Sequence, residues 1–177
     1  MNKKYELTKE TKTLADGTVL HRIRALRDIP RHGVEAGELG GWAEKESNLS
    51  QKDGDAWVFG NAKVSGNAKV FDDAKVYSNA KVYGDAMVCG NAKVCGNAEV
   101  INFQDYAVHK NSWSSGRWFT YTRSNKMWSV GCFYGTGKEL IKKAYADSEI
   151  SGKCYEAVVR AQEAIDMAID EKEGGAK

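Results

Sequence analysis

Residues 56–100 read AWVFGN AKVSGN AKVFDD AKVYSN AKVYGD AMVCGN AKVCGN AEV. Valine recurs at every sixth position, from Val58 through Val64, Val70, Val76, Val82, Val88 and Val94 to Val100. Alanine keeps the same step from Ala56 to Ala98. A step of six fits neither the 3.6-residue helix nor a heptad, and a strict short period sets the architecture before any single residue is considered. Each unit predicts a very short Ala-x-Val strand, with Ala and Val on one face and usually a lysine between them on the other. The pair that follows, Gly-Asn or its variants Asp-Asp, Ser-Asn and Gly-Asp, turns a corner. Glycine supplies a positive φ without steric cost, and Asn or Asp tolerates it. The expectation is a parallel β-solenoid with a narrow interior of small Ala and branched Val.

In this stretch an aliphatic residue is followed four positions later by a small one, as in Val64 then Ala68, or Val70 then Ala74. The pattern resembles the hexapeptide-repeat, left-handed β-helix family. That resemblance implies a left-handed coil in which three hexapeptides make one triangular turn. It is specific for fold and poorly specific for function, because the fold hosts acyltransferases, γ-class carbonic anhydrases and plain scaffolds.

Composition narrows the function classes. The net charge of +2 on 177 residues gives no global argument for nucleic acid or an anionic membrane. No apolar run approaches the roughly 20 residues that span a bilayer. MNKKYELTKE lacks the apolar core of a signal peptide, so a cytoplasmic setting is expected. Cys89, Cys95, Cys132 and Cys154 form no metal-spacing motif and read as reduced thiols.

Residues 1–50 read as an N-terminal β cap. Tyr5-Glu6-Leu7 and Thr18 to Ile29 have strand character around an Ala15-Asp16-Gly17 turn. His21, Arg22, Arg24, Arg27 and Arg31 cluster there, either as a solvated face balanced by Glu6, Glu10, Asp28 and Glu35 or as an anion-binding edge. Trp42, after Gly40-Gly41, is placed to plug the open end of the solenoid, since an open end exposes core and unpaired strand edges.

Over IRALRDIPRHGVEAGELGGWAEKESNLSQKDGDAWVFGNAKV the chain resembles a family of uncharacterised bacterial and prophage hexapeptide-repeat proteins. The run RWFTYTRSNKMWSVGCFYGTGKELIKKAYADSE is similar to a module of phage-borne proteins of that kind. The resemblance implies a mobile-element origin, a bacterial host cell and an accessory role such as countering host defence. It carries over no catalytic residue.

The residue after each valine is expected to face outward. With eighteen residues per coil, Phe59, Tyr77 and Cys95 share one column, Ser65, Tyr83 and Ile101 a second, and Phe71 and Cys89 a third. Exposed columns of this kind are unusual on a free surface. The C-terminal module or a second subunit is expected to cover at least one of them, and Phe71, Tyr77 and Tyr83 are the candidate contact residues. Lys63, Lys69, Lys75, Lys81 and Lys93 spread over all three sides, opposed by Asp72, Asp73 and Asp85, and read as a solvated surface in preference to a polyanion groove.

The six-step ends at Asn102, and Val108 is expected to close a last irregular coil. His109 lies just past it and is the one candidate general base for a hexapeptide-type acyltransferase. The repeats themselves hold no histidine, which argues against a three-histidine zinc site between subunits.

Residues 113–177 read as a ββαα module. Trp118 to Arg123 and Met127 to Phe133 are the strands, and Ser124-Asn125-Lys126 is the turn. Gly135-Thr136-Gly137-Lys138-Glu139 fails as a phosphate loop, because the required spacing meets Cys132 and Glu139. It reads instead as a capping box of Thr136 with Glu139. A second helix starts at Ser151-Gly152 and carries the apolar stripe Cys154, Val158, Ala161, Ile165, Ala168 and Ile169. Trp113, Arg117, Trp118, Tyr121, Arg123 and Trp128 combine aromatics with arginines. That mix suits stacking on bases with charge on phosphates, or an ordinary hairpin core.

The expected protein is therefore mainly β, with residues 1–50 as cap, 51–112 as left-handed β-helix and 113–177 as the ββαα module. Its expected role is non-enzymatic: a dimer or trimer binding a host protein or a small anionic ligand, with no cofactor, metal or membrane. An acyltransferase using His109 and a nucleic-acid binder using the C-terminal hairpin are the alternatives.

Overall fold

The computed structural model describes residues 3–52 and 54–174. Strands β1 (Tyr5–Thr13), β2 (Val19–Ala25) and β3 (Leu39–Ala43) form an antiparallel cap. The turn between β1 and β2 holds Gly17 at φ 87° and is closed by Thr18 N–H donating to Asp16 Oδ1. Eight two-residue strands follow at the six-residue step. They are β4 (Trp57–Val58), β5 (Lys63–Val64), β6 (Lys69–Val70), β7 (Lys75–Val76), β8 (Lys81–Val82), β9 (Met87–Val88), β10 (Lys93–Val94) and β11 (Glu99–Val100). They stack in parallel on three faces, β3-β5-β8-β11, β4-β7-β10 and β6-β9, so the region is a β-solenoid of about three turns. Within it each strand pairs in register with the one eighteen residues on, as Lys75 with Lys93.

Every repeat Ala and Val is fully buried, which confirms the inward face read from the six-step. The corners are more specific than expected. Gly60, Gly66, Asp72, Ser78, Gly84, Gly90 and Gly96 all take φ between 56° and 66°, so the first corner residue carries the left-handed conformation and the Asn or Asp after it does not. The cap strand sits close on the first coil: a Cβ on Gly41 would lie 2.7 Å from the Ala62 carbonyl oxygen.

The plug of the open end differs from the expectation. Trp42 pairs with Lys63, on the outward side of β3, while Ala43 beside Val64 takes the inward side. Trp42 lies under Arg22 and Lys12, 5.1 and 5.8 Å from its ring. Tyr5, Ile23, Ile29, Val34 and Leu49 close the core instead. The expected strand of residues 18–29 ends at Ala25, and β1 runs on to Thr13.

Beyond the solenoid, β12 (Tyr106–Lys110), β13 (Trp118–Thr122), β14 (Met127–Val130) and β15 (Phe133–Thr136) form an antiparallel sheet in that order. Helices α1 (Gly137–Asp147) and α2 (Glu149–Gly174) cover it. Two strands were expected here and four are present, because β12 grows from residues read as a fraying coil and the Met127–Phe133 run breaks at Gly131. The sheet alternates its faces. Phe119, Tyr121, Trp128 and Phe133 meet the helices, whereas Thr120, Ser129 and Tyr134 meet the solenoid.

This polar face of the sheet, with the adjoining loops, ends the solenoid. The last coil has no successor to accept its backbone N–H groups, an edge that invites pairing with another chain. Side-chain oxygens take that place. Thr120 Oγ1 accepts from Lys93 N–H at 2.8 Å, Ser124 Oγ from Glu99 at 2.8 Å, Asp105 Oδ2 from Ile101 at 2.7 Å and Tyr106 Oη from Cys89 at 3.4 Å.

The capping box is present, with Thr136 Oγ1 accepting from Glu139 N–H and Glu139 Oε2 from Thr136 N–H. The buried face of α2 is not the expected apolar stripe. Tyr155, Val159, Gln162 and Asp166 are buried, while of the expected stripe Cys154, Val158 and Ile169 are half-buried and Ala161, Ile165 and Ala168 are exposed. The sheet supplies partners for polar groups: the Tyr121 hydroxyl donates to Asp166 Oδ2, and Asn111 Nδ2 donates to the Tyr155 hydroxyl at 3.1 Å. Burial costs little when polar groups are satisfied, so hydrogen bonding turned the helix against its hydrophobic periodicity.

Candidate functional site

The solenoid face β4-β7-β10 meets the C-terminal sheet where the Tyr77 hydroxyl reaches Ser129 Oγ and the Lys93 N–H donates to Thr120 Oγ1. A cleft of about 420 Å³ opens there, lined by residues of the N-terminal cap, the middle coils and the C-terminal sheet. Its charged residues are Arg31, Asp73, Lys75, Lys93 and Arg117, accompanied by His32 and Trp118.

Each side chain reaches the cleft for a local reason. Lys75 and Lys93 hold the outward position of β7 and β10 in direct register, so their backbones lie one strand spacing apart, about 4.8 Å. Like charges placed opposite one another are unfavourable. On the neighbouring face the same arrangement is relieved, because Lys81 Nζ bonds Glu99 Oε1 at 2.7 Å. Here, among the described residues, Lys75, Lys93 and Arg117 form no ion pair. The Lys75 ammonium sits instead over the rings of Phe59 and Tyr77, at 4.3 and 5.3 Å. Burial, helped by the Lys93 charge, draws its pKa below the usual lysine range. Arg31 is braced by Asp73 Oδ2 at 3.3 Å and Asn91 Oδ1 at 2.5 Å. Arg117 is exposed and lies across the Gly131 turn, where an added Cβ would come 3.4 Å from its Nη1.

His32 stands edge-on to Phe59, ring centres 6.2 Å apart. Its Nε2 is buried with no hydrogen-bond partner. Burial first, then the charges of Lys75 and Arg31, lower its pKa, so the ring is neutral at pH 7. Trp118, on the sheet face turned toward the solenoid, is 38% exposed and carries the Lys110 ammonium 5.7 Å from its ring centre. Four cations thus face one carboxylate in a cleft that is also lined by a partly exposed indole and the half-buried His32 ring.

The residues expected to act together are split. Arg117 and Trp118 line the cleft. Trp113, Tyr121 and Trp128 belong to the cluster between sheet and helices. Arg123 is held by Asp170 at 2.6 Å and Glu173 at 3.1 Å, away from the cleft. Tyr77 is covered by the C-terminal sheet, its hydroxyl 3.2 Å from Ser129 Oγ, so its column is closed within one chain. Tyr83 is half-buried and donates to Glu99 Oε2 at 2.9 Å, and Phe71 is half-buried on the third side.

His109 projects from β12 into the aromatic cluster, stacked on Phe119 at 5.4 Å and beside Trp128 at 5.8 Å. Burial lowers its pKa against an opposing hydrogen bond with Gln162, and Nε2 has no partner. It does not line the cleft between solenoid and C-terminal sheet. Sequence reading missed Arg31 and His32, Lys75 and Lys93 as site residues. The available signals were Arg31, within the basic cluster considered as an anion-binding edge, and Lys75 and Lys93, among the repeat lysines weighed as a polyanion groove.

No protein-family model matches the chain, and no curated protein matches it. Among the described residues no group of three His, Cys, Asp or Glu side chains converges to hold a metal, the cysteines are free thiols, and no helix is long and apolar enough to cross a membrane.

Proposed function

We propose that this protein is a non-enzymatic binding protein that holds a small anionic ligand in the cleft between solenoid and C-terminal sheet. We further propose that its solenoid is a left-handed hexapeptide-repeat β-helix, and that it serves as a prophage accessory protein in the bacterial cytoplasm. The observation that carries the binding reading is the surplus of unpaired cations: Lys75, Lys93 and Arg117 share one cleft with a single carboxylate, Asp73, which Arg31 already engages. A chain whose net charge is only +2 concentrates more than that in one cleft. Unrelieved like charges cost stability, and such costs cluster at functional sites.

Titration calorimetry with inorganic pyrophosphate tests the reading. Wild-type protein binds at a single site, and Lys75→Gln with Lys93→Gln weakens binding at least about tenfold, by removing two charge-assisted contacts. Absence of binding, or binding that the double variant leaves intact, refutes it.

Self-association is proposed with it on a different surface from the one expected. With Tyr77 covered, α2 presents the exposed apolar residues Ile150, Ile165 and Met167. Two copies are proposed to bury the side of α2 that carries Ile150 and Ile165 against one another. Sedimentation of Ile165→Glu checks this: the variant is a monomer and the parent a dimer.

A further inference from the structure

Resting on that anion-binding reading, we infer that the ligand is aromatic as well as anionic: a flat heterocycle bearing a phosphate, of the nucleoside monophosphate class. Lys75, Lys93 and Arg117 take the phosphate and Trp118 takes the ring.

Three observations carry the inference. First, Trp118 is 38% exposed at the cleft wall, whereas Phe119, Tyr121 and Trp128, on the opposite face of the sheet, are buried against the helices. Lys110 lies over its ring, and an indole is a sequence-tolerant platform for a heterocycle. Second, the half-buried His32 lines the same cleft as a neutral ring. A neutral imidazole suits the uncharged polar edge of a heterocycle, while the phosphate has three unpaired cations to choose from. Third, a cleft of about 420 Å³ lies at the small end of ligand sites, about 300–1,000 Å³, so a mononucleotide-sized ligand suits it. It is also walled by three chain segments, 31–32, 73–93 and 117–131, whereas an open groove would suit a polymer.

The test compares adenosine monophosphate, ribose 5-phosphate and adenosine by calorimetry on the whole protein. A ring stacked on an aromatic side chain strengthens binding by about 5- to 150-fold, so adenosine monophosphate binds at least about tenfold tighter than ribose 5-phosphate. Trp118→Ala brings the two to equal affinity, and Trp118→Phe restores most of the difference. Trp118 is partly exposed, and unchanged amide NMR shifts away from the cleft establish that the variants are folded. Equal affinity of the wild type for the two phosphates overturns the inference and leaves the anion reading standing. A preference that survives Trp118→Ala also overturns it. If neither phosphate nor pyrophosphate binds, the anion reading itself falls, and the inference with it.

Discussion

Replacing Thr120 by Val tests how the solenoid is terminated. Thr120 is 1% exposed, and its Oγ1 accepts from the Lys93 N–H at 2.8 Å. One coil earlier, the equivalent Lys75 N–H donates to the Ala92 carbonyl oxygen at 2.8 Å. Thr120 therefore stands in for the carbonyl of a coil that does not exist. Valine has nearly the same shape and no acceptor, so the substitution leaves a buried N–H unpaired, at about 1–3 kcal/mol. For a chain of this size that lowers the melting temperature by roughly 2–12 °C, at about 2–4 °C per kcal/mol. Ser124→Ala is the internal control. Ser124 accepts from Glu99 N–H at the same 2.8 Å but at an exposed position, where water replaces it and the cost stays within about 0.5 kcal/mol. Thermal unfolding of both variants, with hydrogen exchange of the Lys93 amide, reads the difference. The Lys93 amide loses protection by about 5- to 150-fold in Thr120→Val. Equal melting temperatures for the two variants, or unchanged Lys93 exchange, would refute side-chain capping as what holds the last coil.

Other outcomes follow from the same structure. Val76→Ala, in a fully buried interior coil, removes two methyl groups at about 0.8 kcal/mol each and leaves a cavity, for a loss of about 2–3 kcal/mol in denaturant unfolding. Gly90→Ala has open space around the new Cβ but keeps φ at 63°, so denaturant unfolding shows a loss of about 1–2 kcal/mol from backbone strain alone. His32 and His109 both have lowered pKa values, chiefly by burial. Below their ordinary value of 6.5 the unfolded chain takes up protons that the folded chain refuses. Stability is therefore full above that pH and declines as pH falls below it. Melting temperatures from pH 7.5 down to pH 5 show the decline, and His109→Phe makes it shallower. A melting temperature independent of pH across that interval contradicts the burial of the two rings.

Much of this fold is written in local chemistry. The six-residue step places Ala and Val inward because side chains alternate along a strand. It places Gly, Asp72 or Ser78 at corners because those positions need a left-handed backbone. Thr136 and Glu139 cap α1 because the two bonds span only three residues. Each is decided by neighbours in the chain, so each is legible from the sequence. The orientation of α2 is not: its apolar stripe would have buried Ala161 and Ile165, but Tyr121 and Asn111, distant in sequence, supply hydrogen bonds that favour burying Asp166 and Tyr155. Trp42 was misplaced because its outward position follows from pairing with Lys63, which only the fold reveals. The cleft has the same origin. Arg31 and His32, Lys75 and Lys93, and Arg117 and Trp118 come from three stretches that carry no shared motif. Periodicity and turn chemistry suffice for a solenoid, its inward face and its corners. Which lysines lie unpaired beside an exposed tryptophan is settled by how the C-terminal sheet docks on one solenoid face, through contacts far apart along the chain.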